Sequence, residues 1–301
     1  ATNSASAKTT TLAPRAMLWS AINTDTSTGI NAGEIRIMAS KKRGAGQTAV
    51  ITGASGGIGL ELAALFAADG YDLVLVARSA DALTKAAADL SKAHGVKAIA
   101  LPMDLAKPGA AAKLKSDLEA KGMACDVLVN NAGFGMLGPF AEADEARLMQ
   151  LVDLNIRALT ELTRTFLPAM VKARRGGVMN IASSAAFMPG PFMAAYYASK
   201  AYVLSLTEAL WEEMRGTGVR ITAICPGPVA TGFQDAAKMQ DAKLLKMARP
   251  MSAKRCAQIS YRAFREGKRV EIPGLMTKLM VGATRVTPTG MGLKLVRSLQ
   301  S

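Results

Sequence analysis

Thr52-Gly-Ala-Ser-Gly-Gly-Ile-Gly59 is the stretch on which the fold turns. It places Gly53, Gly57 and Gly59 between an apolar run, Thr48-Ala-Val-Ile-Thr52, and a helical pattern through Leu60, Leu62, Leu65 and Phe66 that ends at Gly70. A short apolar run is what a buried parallel strand looks like. Glycine is needed where the backbone turns tightly and where a pyrophosphate must approach closer than a Cβ allows. The helix N-terminus that follows offers free N–H groups and a positive dipole end to that phosphate.

Working outward, the same alternation repeats. Strand patterns at Asp72–Ala77, Lys97–Pro102, Asp126–Asn130, Gly177–Ala182 and Val219–Cys225 alternate with helical patterns at 81–93, 107–121, 145–174 and 194–215. Arg269-Val-Glu-Ile272 carries a further edge-strand signal. Strict alternation of this kind predicts an α/β fold: a Rossmann-like doubly wound parallel sheet of about seven strands in one domain. The expected organisation is a loosely attached extension over 1–46, a catalytic domain over 47–275 and a basic amphipathic segment over 276–301. Within the extension, Met38 opens a compact basic start; an Arg- and Ser-containing transit peptide is the competing reading, weakened by Asp25 and Glu34.

The second strand pattern bears on the choice of dinucleotide. An acidic residue at its end would bind a ribose 2′-OH and repel a 2′-phosphate. Here Ala77 is followed by Arg78, whose planar, permanently charged fork suits a phosphate. NADP(H) is therefore expected over NAD(H).

Composition removes other chemistries. Of 301 residues only one is histidine, His94, so zinc sites built from several imidazoles and His–His acid/base pairs are excluded, and no metal is expected. His94 precedes Gly95 where a helix pattern stops and reads as a residue near a helix cap. Cys125, Cys225 and Cys256 are far apart and odd in number, which fits free thiols in the reducing cytoplasm. The net charge of +14 resolves into +4 over 1–46, −1 over 47–237 and +11 over 238–301. The body is neutral, so nucleic acid is not the expected partner. The longest uncharged run, Gly176–Ser199, is broken by Pro189, Gly190 and Pro191 and does not read as a membrane span.

Four further motifs stand in order along the chain. They are Asn130-Asn-Ala-Gly133, Ser183, Tyr196-Tyr-Ala-Ser-Lys200 and Pro226-Gly-Pro-Val-Ala-Thr231. With Thr52–Gly59, these resemble the TGxxxGxG, NNAG and YxxxK elements of the short-chain dehydrogenase/reductase family, and Asn155 matches its helix asparagine. Ser183 precedes Tyr196 by thirteen residues, the spacing the family shows. The resemblance runs from about Thr48 to Thr231 and more loosely beyond. It implies a cofactor site at Gly53, Ser55, Gly56, Gly57, Ile58, Gly59, Arg78, Leu105, Asn131, Ala132, Gly133, Tyr196 and Lys200. It also implies that the loop with Pro226, Gly227, Val229 and Thr231 holds the nicotinamide carboxamide, that Lys200 holds the ribose, and that Asn155 supports a water path for protons. Asp104 matches an adenine-contacting aspartate, and a simple helix N-cap would look the same. The helices at 145–174 and 194–215 are by resemblance a subunit interface, so a homodimer or homotetramer is expected.

The chemistry also follows from the residues. Tyr196 and Lys200 are four apart on a helical pattern and share a face. A free tyrosine, with pKa near 10, is a poor acid/base at neutral pH, and a neighbouring ammonium favours its phenolate. Reduction would pass a hydride to a carbonyl carbon while Ser183 holds the oxygen and Tyr196 supplies the proton. Tyr197 is a rival, but it stands only three residues from Lys200.

Flanking segments are rich in Met and Phe. Phe134, Met136, Leu137, Phe187, Met188, Phe192, Met193 and Phe233 are expected at or near the substrate, with some of them core. The substrate expected is a hydrophobic ketone or secondary alcohol of 3-ketoacyl, steroid-like or aryl type; the rival is a non-catalytic NADP(H)-binding sensor on the same fold. The apolar and basic tail, with Lys278, Arg285, Lys294 and Arg297, suits weak peripheral membrane contact, a cap on the substrate pocket, or packing on a partner subunit.

Overall fold

A computed structural model describes residues 42–233, 250–284 and 286–300, which fall in one compact unit, Lys42–Ser301. The N-terminal extension up to residue 41 and Arg285 lie outside the described residues.

β1 (Thr48–Thr52) is buried along its whole length because it lies inside the sheet. It pairs in parallel with β2 (Asp72–Ala77) on one side and β4 (Val127–Asn130) on the other. β3 (Ala98–Pro102) extends the sheet beyond β2. On the far side follow β5 (Gly177–Ile181), β6 (Arg220–Ile224) and the two-residue edge strand β9 (Val270–Glu271). The order β3-β2-β1-β4-β5-β6-β9 is parallel throughout, as the sequence predicts. Strand order reverses between β1 and β4, so a crevice opens there beyond the strands' carboxyl ends.

Alternate strand residues feed opposite faces. Ala49 and Ile51 pack with α1 (Gly57–Ala68), α2 (Ala80–His94) and α7 (Ala253–Arg265) through Leu62, Phe66, Leu83 and Phe264. Val50 points the other way, toward α3 (Ala110–Glu119) and α5 (Leu159–Ala173), where Leu114, Leu118, Leu162 and Phe166 lie. Phe66 meets Tyr71 and Tyr261 edge-on, with centroids 5.2 and 4.8 Å away. Tyr261 donates to Asp69 and Arg265 pairs with the same carboxylate, so α7 is tied to the end of α1.

The second face holds a buried polar ladder. Asn130 donates to Asn180 Oδ1 (2.9 Å) and to Thr163 Oγ1 (3.1 Å), and Asn180 donates to Thr207 Oγ1 (2.9 Å). It ties β4 and β5 to α5 and to α6 (Ala194–Glu213). Each buried polar atom in such a network is expensive to leave unpaired, so the ladder fixes the register of both helices.

The pattern at 145–174 is not one uniform helix. Asp144 caps α4 (Glu145–Val152) by accepting from Arg147 N at 2.7 Å, and a π-turn over Asp153–Ala158 then leads into α5. π-turns concentrate at functional sites because the extra residue re-aims a side chain; here that side chain is Asn155. His94 is the last residue of α2, and Gly95 caps it in the left-handed conformation (φ 68°). The three cysteines are buried free thiols.

Two short strands, β7 (Val229–Ala230) and β8 (Met251–Ser252), pair in parallel outside the main sheet. Two helices, α8 (Leu275–Thr284) and α9 (Thr289–Gln300), follow β9. Among the described residues no helix is long and apolar enough to cross a membrane.

Candidate active site

A cavity of about 960 Å³ opens at the carboxyl ends of the strands. One end is the glycine turn. Gly53 (φ 65°) and Gly57 (φ 55°) adopt left-handed backbone, and a Cβ on Gly59 would stand 2.4 Å from the Gly53 carbonyl oxygen. Gly59 therefore packs α1 onto the turn and does not line the cavity, whereas Gly53, Ser55, Gly56, Gly57 and Ile58 do. The turn is stapled to the end of β4. Thr52 Oγ1 accepts from Asn131 N (2.9 Å) and Ala132 N (3.0 Å), while Asn131 Nδ2 donates to the carbonyls of Thr52 (3.0 Å) and Gly53 (3.1 Å). α1 begins with no side-chain cap and no acidic residue in its first turn, so its first N–H groups and positive end stay open to an anion. A Cβ on Gly56 would meet nothing within 4 Å, which leaves room for a pyrophosphate against the backbone.

Arg78 lines the same end; it is exposed, and its guanidinium has no partner among the described residues. Asp104 and Leu105 line it too. Asp104 Oδ1 accepts from Ala106 N (3.1 Å) in its own loop and caps no helix, since α3 begins at Ala110 with Gly109 at its cap position; the N-cap reading is thus corrected. Pro226, Gly227, Val229 and Thr231 form the opposite wall. A Cβ on Gly227 would come within 2.7 Å of Thr277 Oγ1, because α8 lies directly on this loop.

The middle of the cavity carries the reactive groups. α6 presents Tyr196 and Lys200 on one face, as their spacing predicts. Lys200 Nζ donates to the Ile181 carbonyl at 2.8 Å and lies 5.8 Å from the Tyr196 ring centre. Ser183 hydrogen-bonds the Tyr196 phenol, and its Oγ also accepts from Ala185 N at 3.1 Å. Asn155 sits behind them, outside the lining. Its Nδ2 donates to the Phe134 carbonyl (3.0 Å) and to Ser199 Oγ (3.1 Å), and its Oδ1 accepts from Phe134 N (3.2 Å). A Cβ on Gly133 would stand 3.0 Å from Asn155 Oδ1 and 3.5 Å from Lys200 Nζ, so glycine keeps this crowded corner passable.

Burial acts on both titratable groups and favours the neutral form of each. It pushes Tyr196 up to about 12, against the smaller opposing pull of the Ser183 hydrogen bond. It lowers Lys200 to about 8. The expectation that the ammonium draws Tyr196 toward neutrality is thus corrected: burial raises the phenol, Lys200 is not among the groups that lower it, and the phenol stands as a protonated donor at neutral pH.

Phe134, Met188, Met193 and Phe233 line the remaining wall, with the Phe233 ring 5.4 Å from that of Tyr196. Four expected substrate residues do not line it; one of them, Leu137, packs in the apolar cluster around Tyr196. Phe187 ends a single 3-10 turn, Ser184–Phe187, and packs with Val203 and Leu204 of α6. Phe192 has a positive φ of 63°, and Arg297 covers its ring at 5.6 Å. Met136 joins the apolar cluster around Tyr196 without reaching the cavity.

In their place stand residues that the sequence reading did not assign to the site: Tyr197, Met251, and, from α8 and α9, Met276, Met280, Val296 and Gln300. Met276 and Met280, and Val296 and Gln300, are each four apart, a helical signal that marks a shared face without naming what it covers. Among the described residues no group of His, Cys, Asp and Glu could hold a metal.

Residues 47–242 match the model of the short chain dehydrogenase family. The ketoacyl reductase HetN of Nostoc sp. is 34 % identical over 254 residues, covering 82 % of this chain and 87 % of that protein. Among solved structures, a short-chain dehydrogenase from Sphingobium yanoikuyae in complex with NADPH superposes with a TM-score of 0.71 at 32 % identity, covering 79 % of this chain and 94 % of that one. The bulky-bulky ketone specific alcohol dehydrogenase from Comamonas testosteroni does so with a TM-score of 0.67 at 27 % identity, over 80 % and 95 %. The chain belongs to the short chain dehydrogenase family and is an oxidoreductase acting on CH–OH groups or the corresponding carbonyls.

Because Lys200 is lowered to about 8 in the fold against an ordinary 10.5, the unfolded chain binds more protons between those values, and its burial penalty is relieved as pH rises. Denaturant titrations of the parent and of Lys200→Met, compared at pH 8 and above, should show the parent gaining stability relative to the variant. The gain should approach roughly 1.4 kcal/mol per pH unit; parallel curves would contradict the buried ammonium.

Proposed function

We propose that the protein interconverts a hydrophobic ketone and its secondary alcohol with NADP(H), using Tyr196 as the acid/base. NADP(H) is the cofactor; when bound it supplies or accepts the hydride. The observation that carries the reading is the Ser183–Tyr196–Lys200 cluster, set between an open glycine cradle and an apolar wall.

In the reducing direction Ser183 holds the carbonyl oxygen and the Tyr196 phenol, protonated at neutral pH, delivers the proton. The phenolate left behind lies near the Lys200 ammonium, whose field then favours it. Asn155, by tying Phe134 to Ser199, keeps the corner between the β4 turn and α6 in register, and a proton path through this corner is part of the proposal. Among the described residues Arg78 has no partner to compete with a 2′-phosphate. A non-catalytic sensor would have no use for the tyrosine and lysine buried at this cost.

Exposed Met149 on α4 and Tyr202 on α6 support a homo-oligomer through those helices. A second surface bears on location. Leu275, Met276 and Leu279 of α8 and Met291 and Leu295 of α9 are each at least 60 % exposed, beside Lys278 and Lys294 and at the cavity mouth. Apolar side chains ringed by cations favour an anionic lipid surface.

Tyr196→Phe should bind NADPH within about twofold of the parent and lose roughly a hundred- to ten-thousandfold in kcat on a hydrophobic ketone, read by NADPH consumption; undiminished turnover would remove Tyr196 from the reaction. Arg78→Asp should reverse the preference between NADPH and NADH in kcat/KM, since a carboxylate repels the 2′-phosphate and accepts from a 2′-OH. An unaltered ratio would take Arg78 out of the site. In flotation assays the protein should rise with phosphatidylglycerol vesicles, and Leu275→Asp with Leu279→Asp should abolish this. If the protein stays at the bottom while the same double substitution dissociates an oligomer seen by light scattering, the surface is a subunit contact instead.

A further inference from the structure

Two adjacent tyrosines open α6, and the proposed reaction uses one. Tyr197 is buried and lines the same cavity, its ring 6.1 Å from that of Tyr196 and steeply inclined to it. It lies flat on Gly190, where a Cβ would come within 2.5 Å of the ring, so the absence of a side chain there fixes the direction of the phenol. Gln300 reaches in from α9, itself only 5 % exposed, and its Nε2 donates to Tyr197 Oη at 2.8 Å.

The hydrogen-bonding capacity of this pair is not exhausted. The phenol accepts from Gln300 but has a proton of its own to give, and no described residue receives it. Gln300 Oε1 is buried and has no hydrogen-bond partner among the described residues. Turning the amide over would let Oε1 take the phenol proton and leave both Nε2 protons unpaired, so in either orientation the pair keeps hydrogen-bonding capacity to spare. Burial raises the Tyr197 pKa, against a smaller pull from the Gln300 bond, so the donor persists at neutral pH. Around the pair the wall is apolar: Met188, Met193, Phe233 and Val296. An unused donor and an unused acceptor side by side in such a wall are costly unless a ligand completes them.

We infer that Tyr197 and Gln300 form a second polar subsite, apart from the reacting centre, that binds a hydroxyl group on an otherwise hydrophobic substrate. A hydroxyl seated beside the pair accepts from the phenol and donates to the amide oxygen, while Nε2 keeps its bond to the Tyr197 oxygen. A second ketone would leave the amide oxygen unpaired, and a carboxylate would meet no cation in the pair. The inference rests on the ketone-reductase reading above and narrows it to hydroxy ketones.

The test compares 2-decalone with monohydroxy-2-decalones bearing the hydroxyl at successive positions of the second ring. For the parent, kcat/KM from NADPH consumption should be about tenfold higher for at least one hydroxylated member than for 2-decalone. Tyr197→Phe and Gln300→Leu, each checked for an unchanged melting temperature and NADPH affinity, should bring that ratio to within about twofold of one. In parallel, Kd values for the same compounds are measured by calorimetry on NADPH-loaded Tyr196→Phe, where nothing turns over. Tighter binding of a hydroxylated decalone there, with no turnover by the parent, would defeat the reductase reading and leave the subsite standing. Equal kcat/KM and Kd across the series, or a preference that survives both substitutions, would overturn the subsite.

Discussion

A lysine ammonium taken out of water sets the terms for the rest of this site. Lys200 Nζ is buried with one carbonyl acceptor, Ile181 O, at the end of β5. Taking such a charge out of water is expensive, and one neutral hydrogen bond recovers only part of the loss. The penalty appears as the lowered Lys200 pKa, and the same dry surroundings raise that of Tyr196. The two groups therefore stand as a neutral phenol beside a buried ammonium. That pairing gains when negative charge develops on the phenol oxygen, which is the charge change a proton-donating tyrosine undergoes.

Holding a charge this way demands a frame that does not yield, and the frame is polar as well as apolar. The Asn130–Asn180–Thr207 ladder clamps α6 to the sheet from below, while Thr52 and Asn131 clamp the first turn to the end of β4. Asn155 closes the corner between these clamps. It can do so because the π-turn at Asp153–Ala158 shifts the helix by one residue. The glycines at 53, 59 and 133 belong to the same design: at each, a Cβ would collide with one of these clamps. The site is thus rigid where hydride and proton must meet.

The rigid half was legible in the sequence, and the reason is local. Continuous apolar runs such as Val50-Ile51 and Leu73–Val76 mark strands covered on both faces, and turn glycines announce their own backbone need. The Tyr196–Lys200 spacing fixes a shared helix face whatever else surrounds it. The covering half was not legible. Whether Phe187 points to the cavity or the core depends on one 3-10 turn. Phe192 is turned aside by a left-handed φ that nothing in its neighbours foretells. The direction of the Tyr196 pKa shift is not legible either, because spacing reveals the nearby charge but not the depth of burial. The π-turn leaves no periodic trace in a helix already amphipathic on both sides of it.

The same division separates reaction from recognition. α8 and α9 bring Met276, Met280, Val296 and Gln300 to the cavity, yet only Val281, Val296 and Gln300 among their described side chains are buried. They rest on the Pro226–Gly227 loop and on Tyr197, and no hydrogen bond among the described residues joins them to the ladder or the Thr52 staple. Changes in these helices therefore alter what fills the apolar end without disturbing the Lys200 corner. The charge distribution follows the same line: the body around the reacting groups is neutral, while residues 238–301 carry +11. Of that excess Lys278, Lys294 and Arg297 lie on α8 and α9, and none of the three lines the cavity around Tyr196.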